Sequence, residues 1–345
     1  MVPPNVSEPS IAISRHSRWR MWIASGGGLL SGAIYALLAY LVFRLHWLPE
    51  GVVSWTYILS VPLVIGAVSV GLSGRAHQAS ILYCAFAPWL PIFLVYIGLA
   101  LVAAETLICL VMLAPAAFSF ATIGGLLAGW IARWLRRRGS YRGVMSCIAL
   151  APLVFVRIEA AQDSPEVMRT VTNRIVVAAA PERVWSELLN VPAIRPEELS
   201  WSFSHAIGLP RPRAALLTGD GVGSIRDLYW EGDIHFREYV TAWEPGRRLA
   251  YRVDVSPARE RLRRLDTHVV IGDRYFDIQG GQYSLRDLGG ERTELSLSTT
   301  YRMRTMVNPY GEWWANRTLD DFHAVVLKVI QKRSERAGVE PRTAL

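Results

Sequence analysis

Apolar residues form long runs in the first 156 positions, and these runs predict membrane-spanning helices. Met21–Phe43 and Val53–Leu72 each reach the length of about 20 mostly apolar residues that a span requires. Residues 79–132 are long enough for two more spans, with a turn near Glu105. The last run, 143–156, would extend only roughly 21 Å as a helix, against a hydrocarbon core of about 30 Å. We therefore predict four or five transmembrane helices, over 21–43, 53–72, 79–103, 106–132 and 143–156.

From Arg157 onward, apolar and polar residues alternate, and turn residues recur at regular intervals. Thr170–Val177 predicts a strand, a helix opens at Pro181, and a second short helix includes Glu197 and Glu198. A loop with Pro210 and Pro212 is followed by strand-like runs at Gly223–Trp230, Ile234–Trp243, Arg248–Val255, His268–Ile271, Tyr275–Leu288 and Arg292–Arg302. Apolar residues spaced by three or four predict a C-terminal helix through Trp314, Leu319, Phe322, Val326, Val329 and Ile330.

This order of elements predicts an α+β domain after the all-α membrane part. A curved antiparallel sheet needs a cover over its apolar face. One long helix laid across the concave side covers that face only in part. The space left between helix and sheet is then the expected place for a ligand.

The distribution of charge supports the division into two parts. The 345-residue chain carries 37 Lys and Arg and 29 Asp and Glu residues, a formal net charge of +8. Between Met21 and Ala132, however, the charged residues are Arg44, Glu50, Arg75 and Glu105 alone. An ordinary soluble domain has about 25% charged residues. The composition therefore excludes a single soluble globular protein and a disordered chain.

The arginines also predict an orientation. Nine of them lie before the first span or in the second and fourth connections: Arg15, Arg18, Arg20, Arg75, Arg133, Arg136, Arg137, Arg138 and Arg142. The alternate connections hold only Arg44. Because positive residues accumulate in cytoplasmic loops, we expect an integral protein of a bacterial cytoplasmic membrane with its N-terminus inside. With five spans the C-terminal domain lies outside the cytoplasm, and this is the arrangement that we expect. With four spans it would lie inside.

The basic excess therefore indicates topology rather than an acidic partner. Residues 1–156 contain ten arginines and three acidic residues, whereas residues 157–345 contain 27 basic and 26 acidic residues. The C-terminal half is thus nearly neutral. We expect no nucleic-acid partner, and we expect the partner to be a lipid or another hydrophobic small molecule.

Several segments of the C-terminal half carry a resemblance to a known superfamily. They are Ile175–Val177 with Ala180–Trp185, Gly221–Arg226, Glu238–Tyr251 with its Trp243-Glu244-Pro245 turn, and Gly290–Tyr301. In order and spacing they resemble the START-like or SRPBCC superfamily, which includes polyketide cyclases, lipid-transfer domains and pollen-allergen-type binders. The resemblance covers about 169–335 and implies a helix-grip fold with a cavity for a hydrophobic ligand. It does not fix an activity, since members include enzymes, carriers and sensors.

These features predict five parts of the chain. We expect a cytoplasmic tail over 1–20, a transmembrane domain over 21–156 and a linker over 157–168. The START-like domain follows over 169–336, and a tail over 337–345 ends the chain.

Strand alternation assigns the residues that face the cavity. If the more apolar faces point inward, two charged residues on adjacent strands, Arg226 and Glu238, also point inward. A buried charge is costly unless it is paired. We hypothesise that these two side chains pair in the cavity and orient the polar end of a ligand. The alternatives are a solvated pair near the rim, or the opposite face of the strands pointing inward.

Other residues of the candidate ligand site are less sharply defined. Tyr283 and Tyr301 could line the pocket or fill the core, and His205 could act as a general base or be an ordinary loop histidine. The full set of candidate ligand-binding residues is Arg226, Leu228, Trp230, Glu238, Val240, Tyr283, Tyr301 and His205. No catalytic residue is assigned.

No motif predicts a metal or a cofactor. Cys84, Cys109 and Cys147 all lie in apolar runs, and the histidines lack ligand spacing. A basic cluster, Arg259, Arg261, Arg263 and Arg264, is expected in a solvated loop, with contact to anionic headgroups as the alternative.

We therefore favour a membrane-anchored START-like domain that binds a lipid or another hydrophobic small molecule. The first alternative is an enzyme of the cyclase or dehydratase type, with His205 or the Arg226 and Glu238 pair as acid and base. The second is a ligand sensor. The short Trp134–Gly143 loop, which has no room for an output domain, disfavours the sensor.

Overall fold

A computed structural model describes residues 15–44, 54–102, 105–135, 141–265 and 268–336. These residues form two units. The helical unit contains residues 15–44, 56–102, 114–135 and 141–158, and the sheet unit contains residues 54–55, 105–113 and 159–336. The predicted tail 337–345, most of the predicted tail 1–20, and the loop arginines Arg136, Arg137 and Arg138 lie outside the described residues.

Seven α-helices occupy the N-terminal half of the described chain. They are α1 (Arg15–Arg44), α2 (Val61–Gly71), α3 (Arg75–Ala79), α4 (Ile81–Phe86), α5 (Trp89–Leu101), α6 (Leu107–Leu135) and α7 (Tyr141–Ala160), and a π-helical segment, Thr56–Ser60, leads into α2. Helices α2 and α6 approach each other closely. A Cβ at Gly66 would collide with the Ala121 backbone, and one at Gly124 with the Leu63 backbone.

Two helical segments of the described residues are long and apolar enough to cross a membrane. They are Ile81–Leu101, which joins α4 and α5, and Leu107–Leu135, which is α6. The apolar helices Gly26–Val42 and Thr56–Gly71 are shorter. The prediction of four or five spans is therefore not supported.

The helices differ from the predicted runs in their ends. Helix α1 includes the predicted run 21–43 but begins six residues before it, and this N-terminal part contains three arginines. Helix α7 is longer than the predicted run 143–156, but it has polar residues at both ends, including Arg157 and Glu159 near its C-terminus.

The sheet unit contains seven antiparallel strands in the order β1-β7-β6-β5-β4-β3-β2. They are β1 (Glu166–Val177), β2 (Pro212–Thr218), β3 (Ile225–Trp230), β4 (Ile234–Glu244), β5 (Arg248–Asp254), β6 (Phe276–Asp287) and β7 (Thr293–Arg304). Pairing of β1 with β7 places the first strand beside the last, so the sheet carries β1 and β2 at its edges.

Four helices accompany the sheet: α8 (Pro181–Leu189), α9 (Phe203–Ala206), α10 (Arg259–Leu265) and α11 (Asn308–Arg336). Pro181 begins α8 at a position where its missing N–H costs nothing. The main core lies between the sheet, α8 and α11, and includes Trp185 and Leu188 of α8, Leu295 of β7, and Leu327 and Ile330 of α11. This seven-stranded sheet with a long C-terminal helix is the arrangement of a helix-grip fold.

Three local predictions are corrected by the structure. Residues 212–218, predicted as a loop because of Pro210 and Pro212, form the edge strand β2, where the missing N–H of a proline is tolerated. His268–Ile271, predicted as a strand, forms only a single bridge from Ile271 to Phe276. The basic cluster predicted as a loop forms helix α10, which buries Leu262.

Candidate functional site

Arg226 and Glu238 form an ion pair inside the sheet unit. They are directly opposite each other in the register of β3 and β4. Nη1 of Arg226 donates to Oε2 of Glu238 at 2.8 Å. The side chains are only 2% and 5% exposed. The pair is therefore buried. It lies neither at a solvated rim nor on an outward-pointing face of the strands.

The guanidinium of Arg226 also contacts helix α8 and an aromatic ring. Its Nη2 donates to the carbonyl oxygen of Leu188 at 3.0 Å, in the last turn of α8, where carbonyl groups lack helical partners. Its Cζ lies 5.6 Å from the ring centroid of Tyr283. Tyr283 in turn packs against Tyr251, with ring centroids 6.0 Å apart. Two tyrosines, one carboxylate and one guanidinium thus share the same buried region.

One donor of this cluster is left open. Nε of Arg226 is buried and has no hydrogen-bond partner among the described residues. An unmatched buried donor costs about 1–3 kcal/mol. An oxygen atom that accepted a hydrogen bond from this Nε would remove that cost, beside an ion pair and within an apolar core.

Burial and mutual attraction act in opposite directions on the titration of this pair. Burial is the largest single influence on Arg226 and opposes its positive form, but Glu238, Tyr283 and Tyr251 together outweigh it and raise the pKa of Arg226. Burial raises the pKa of Glu238 above its ordinary value, although Arg226 opposes this rise. Burial also raises the pKa of both Tyr251 and Tyr283. Arg226 is therefore the permanent charge of the cluster, and both tyrosines remain neutral donors.

The remaining predicted site residues are spread over several clusters. Val240 and Tyr283 belong to the main core beside the ion pair. Leu228 packs in a separate cluster with Val191, Ala215 and Val329, and Trp230 stacks on Phe322 of α11 at 4.8 Å. The structure thus brings Arg226, Glu238, Val240 and Tyr283 together, whereas Leu228 and Trp230 face α11 elsewhere.

Tyr301 lies in a third region, under the first half of α11. It is fully buried with Val171, Met303 and Leu319, and its hydroxyl donates to Asn316 Oδ1 at 2.8 Å. Burial raises its pKa to about 12. Tyr301 is therefore a satisfied core tyrosine in a cluster separate from the ion pair.

His205 lies in α9, a short helix held against α11 by Asp321. The carboxylate of Asp321 accepts hydrogen bonds from the Ser202 hydroxyl and, at 2.8 Å, from the Ser204 amide. Burial and the neighbouring Arg211 lower the pKa of His205, so its imidazole is neutral at pH 7. Its proposed role as a base stays a prediction.

Sequence reasoning missed a buried histidine that links α11 to two strands. His323 is fully buried, its Nδ1 lies 2.7 Å from Asn173 Oδ1 on β1, and its Nε2 lies 2.8 Å from Thr299 Oγ1 on β7. The amide oxygen of Asn173 only accepts, so Nδ1 carries the proton and Nε2 accepts from Thr299. Burial lowers the pKa of His323 to about 4. A sequence signal for its burial exists, because His323 follows Leu319 by four residues and therefore lies on the same face of the helix.

A second missed element is the ion pair between Glu198 and Arg333. Arg333 donates to both carboxylate oxygens of Glu198, at 2.8 and 2.9 Å, and Lys332 donates to the Glu198 carbonyl. The hydrogen bonds from Arg333 lower the pKa of Glu198 to about 2. This pair holds residues 192–199 against the end of α11. Its partners lie 135 residues apart in the sequence, so no local pattern indicated it.

The residues that the structure describes contain no group of three or more His, Cys, Asp or Glu side chains that could hold a metal ion.

Comparisons with known proteins find similarity in structure but not in sequence. Neither a protein-family model nor a curated protein sequence matches the chain. An aromatase/cyclase, Zhui, from Streptomyces sp. R1128 is 19% identical, with 52% of this chain and 100% of its own chain covered and a TM-score of 0.33. A norcoclaurine synthase from Thalictrum flavum is 15% identical, with coverage of 50% and 98% and a TM-score of 0.32.

A third solved structure, the Aha1 dimer from Colwellia psychrerythraea, is 13% identical, with coverage of 48% and 96% and a TM-score of 0.28. At these identities and TM-scores, the likenesses carry no argument about activity. The fold assignment rests on the strand order and on the position of α11.

Proposed function

We propose that this chain is a membrane-anchored helix-grip protein whose sheet unit binds a hydrophobic small molecule with one polar end, such as a lipid. The polar end would bind at Arg226, and the apolar part would lie between the sheet and α11. The observation that carries this proposal is the open Nε donor of Arg226, beside its ion pair with Glu238 in an apolar core.

The energetics of the pair favour a binding role over a purely stabilising one. Desolvation of two charges often cancels their attraction, and apolar residues of similar size can replace a buried pair without loss of stability. Strongly perturbed titratable groups in a buried site are also typical of functional sites. A carboxylate, phosphate or carbonyl oxygen of a ligand would satisfy Arg226 Nε and complete the cluster.

Membrane anchoring is supported by the two long apolar helices and by the distribution of arginines. The sheet unit also contains residues 54–55 and 105–113. Residues 54–55 and 105–106 lie at or next to the two connections that the arginine distribution assigns to the outer side. We therefore propose an extracytoplasmic position for the sheet unit. A tether of this kind raises the local concentration of membrane-derived ligands.

The direct test is mass spectrometry of compounds extracted from the full chain after purification in detergent and repeated detergent exchange. We expect one class of apolar molecule with a polar end to remain at near-equal molar ratio to the protein. Protein that is folded but carries no such compound, and gains none from lipid mixtures of several headgroup classes, would contradict the proposal.

A cyclase-type enzyme is the second candidate, favoured by the raised pKa of the buried Glu238 carboxyl. A carboxylic acid with a raised pKa is suited to donate a proton near neutral pH. Here, however, Glu238 is engaged by Arg226, and an acid would have to leave that pair to act. Turnover of an aromatic polyketide-type precursor by the wild-type chain but not by Glu238→Gln would favour this candidate over simple binding.

A further inference from the structure

The two ends of the sheet differ in what they carry. One end, which we name the Glu166 end, contains the first residue of β1 and of β6 and the last residue of β5 and of β7. The other, the Gly290 end, contains the turn from β4 to β5 and the turn from β6 to β7. Twelve residues of β6 separate the two ends. At about 3.3 Å per residue this is roughly 40 Å.

Residues 105–113, which belong to the sheet unit, contact the Glu166 end at three places. Both carboxylate oxygens of Glu105 lie 3.1 Å from Nε2 of His268. The Tyr310 hydroxyl, near the start of α11, donates to the Met112 carbonyl. Gly208 lies beside Ile108, since a Cβ at this glycine would be 3.7 Å from Ile108 Cγ1, at ordinary van der Waals distance.

A fourth contact involves the same end. The Trp55 amide donates to a carboxylate oxygen of Glu159 at 2.8 Å, shortly before β1 begins. Helix α6, one of the two segments able to cross a membrane, starts at Leu107, two residues after Glu105. A residue held to Glu105 is therefore close to the N-terminal end of this helix.

Helix α10 ends a few residues before His268 and carries exposed positive charge. Leu262 anchors it in a small core with Ile234, Ala258 and Val270. Arg261 is paired with Asp233 at 3.1 Å. Arg263 and Arg264 are exposed, and within the described ranges no acidic side chain forms an ion pair with either of them.

We propose that Arg263 and Arg264 bind anionic lipid headgroups at the bilayer surface beside the start of α6, and so set the orientation of the sheet unit on the membrane. The inference rests on the membrane anchoring proposed above. Two arginines near an anionic surface are each attracted strongly enough to change occupancy roughly fivefold. Glu260 is the one acidic residue of α10, against four arginines, so the helix is net basic. This charge fits a phosphate-bearing surface and not a neutral one.

The test uses the full chain in nanodiscs of phosphatidylcholine alone and in nanodiscs with about one third phosphatidylglycerol. Amide hydrogen exchange over 256–270 is measured in both. We expect several-fold slower exchange in the anionic discs, lost at high salt because screening weakens surface charge interactions. The double variant Arg263→Gln/Arg264→Gln should show no difference between the two lipids.

The matched control is Arg247→Gln/Arg292→Gln, which removes two exposed arginines at the Gly290 end and should keep the lipid dependence. Equal exchange of the wild type in both discs, or a lipid effect that survives in Arg263→Gln/Arg264→Gln, would overturn the inference. So would equal protection by millimolar inorganic phosphate in neutral discs, because it would identify a site for free anions. A chain that fails to enter nanodiscs would instead overturn the anchoring itself.

Discussion

His323 Nδ1 lies 2.7 Å from Asn173 Oδ1, so a fully buried imidazole on α11 donates a hydrogen bond to the first strand of the sheet. Its Nε2 contacts Thr299 on the neighbouring strand β7 at 2.8 Å. The two hydrogen bonds fix the middle of the C-terminal helix over the sheet. No charged group takes part in either bond, so protonation of this ring in the folded chain is uncompensated.

This histidine predicts a loss of stability in mild acid. Burial lowers its pKa from 6.5 to about 4. Between these values the unfolded chain binds a proton that the folded chain does not, so stability is complete above pH 6.5 and falls as the pH drops towards 4. The full effect is about 3 kcal/mol. Thermal unfolding of the full chain in detergent, followed by tryptophan fluorescence, should show it.

Two variants identify the source of that pH dependence. His323→Gln should flatten the dependence of the melting temperature between pH 4 and 6.5. Thr299→Val removes one hydrogen bond but keeps the buried ring, so it should lower the melting temperature at all pH values and keep the slope. An unchanged slope in His323→Gln would assign the acid sensitivity to another group.

Glu198 predicts a second effect, at lower pH. Hydrogen bonds from Arg333 lower its pKa from 4.5 to about 2, so the stability it contributes is present above pH 4.5 and is lost as the pH falls towards 2. Glu198→Gln should destabilise the chain at pH 7 by about 1–3 kcal/mol, because Arg333 loses a charged acceptor. Chemical denaturation measures the change. The exposed neighbour Glu197 offers the control, since Glu197→Gln should change stability by less than about 0.5 kcal/mol.

Replacement of Asp321 should weaken the structure around α9 rather than the whole domain. Burial would raise the pKa of its carboxyl, but the hydrogen bonds from the Ser202 and Ser204 side of α9 lower it overall. Asp321→Asn should therefore speed amide exchange over 202–207 several-fold and leave the exchange of β3 and β4 unchanged. The exposed Asp320 provides the matched variant, and Asp320→Asn should leave α9 protected. Equal exchange in the two variants would show that Asp321 does not hold α9.

The buried ion pair predicts an unequal cost for removing one or both charges. Arg226→Met leaves Glu238 without its partner in the core, and should cost about 3–5 kcal/mol. Arg226→Met/Glu238→Met removes both charges and should cost clearly less. Arg237→Met breaks the partly exposed contact with Asp227 at 3.2 Å, and should cost far less than Arg226→Met because solvent screens this pair. Denaturation midpoints of the three variants decide this. A double variant less stable than Arg226→Met would contradict the account.

The sequence allowed the main order of strands and helices to be predicted because each long element has a clear period. The alternation over β3 and β4 was sufficient to bring Arg226 and Glu238 to one inward face. It fails at β2, where the sequence predicts a loop with Pro210 and Pro212, although an edge strand tolerates proline. It also failed at 268–271, where an apolar pair, Val269 and Val270, precedes a turn rather than a strand.

Contacts between distant parts of the chain could not be predicted. Arg333 and Glu198, His323 and Asn173, and His268 and Glu105 are each joined over more than 130 residues. Nothing local distinguishes such residues from solvated ones. The predicted number of membrane spans is not supported, for a different reason. Apolar composition does not indicate where a helix begins and ends, and the described residues contain two long apolar helices where four or five were predicted.

The most direct test of the central claim is ligand retention by a folded chain that lacks the buried pair. Wild type and Arg226→Met/Glu238→Met are purified side by side in detergent, and bound compounds are measured by native mass spectrometry. The account predicts that the double variant melts cooperatively but retains at most about one tenth of the polar-ended ligand held by wild type, as expected when roughly 1.4 kcal/mol or more of binding free energy is lost. Equal retention in the two proteins would contradict a ligand role for Arg226 and Glu238.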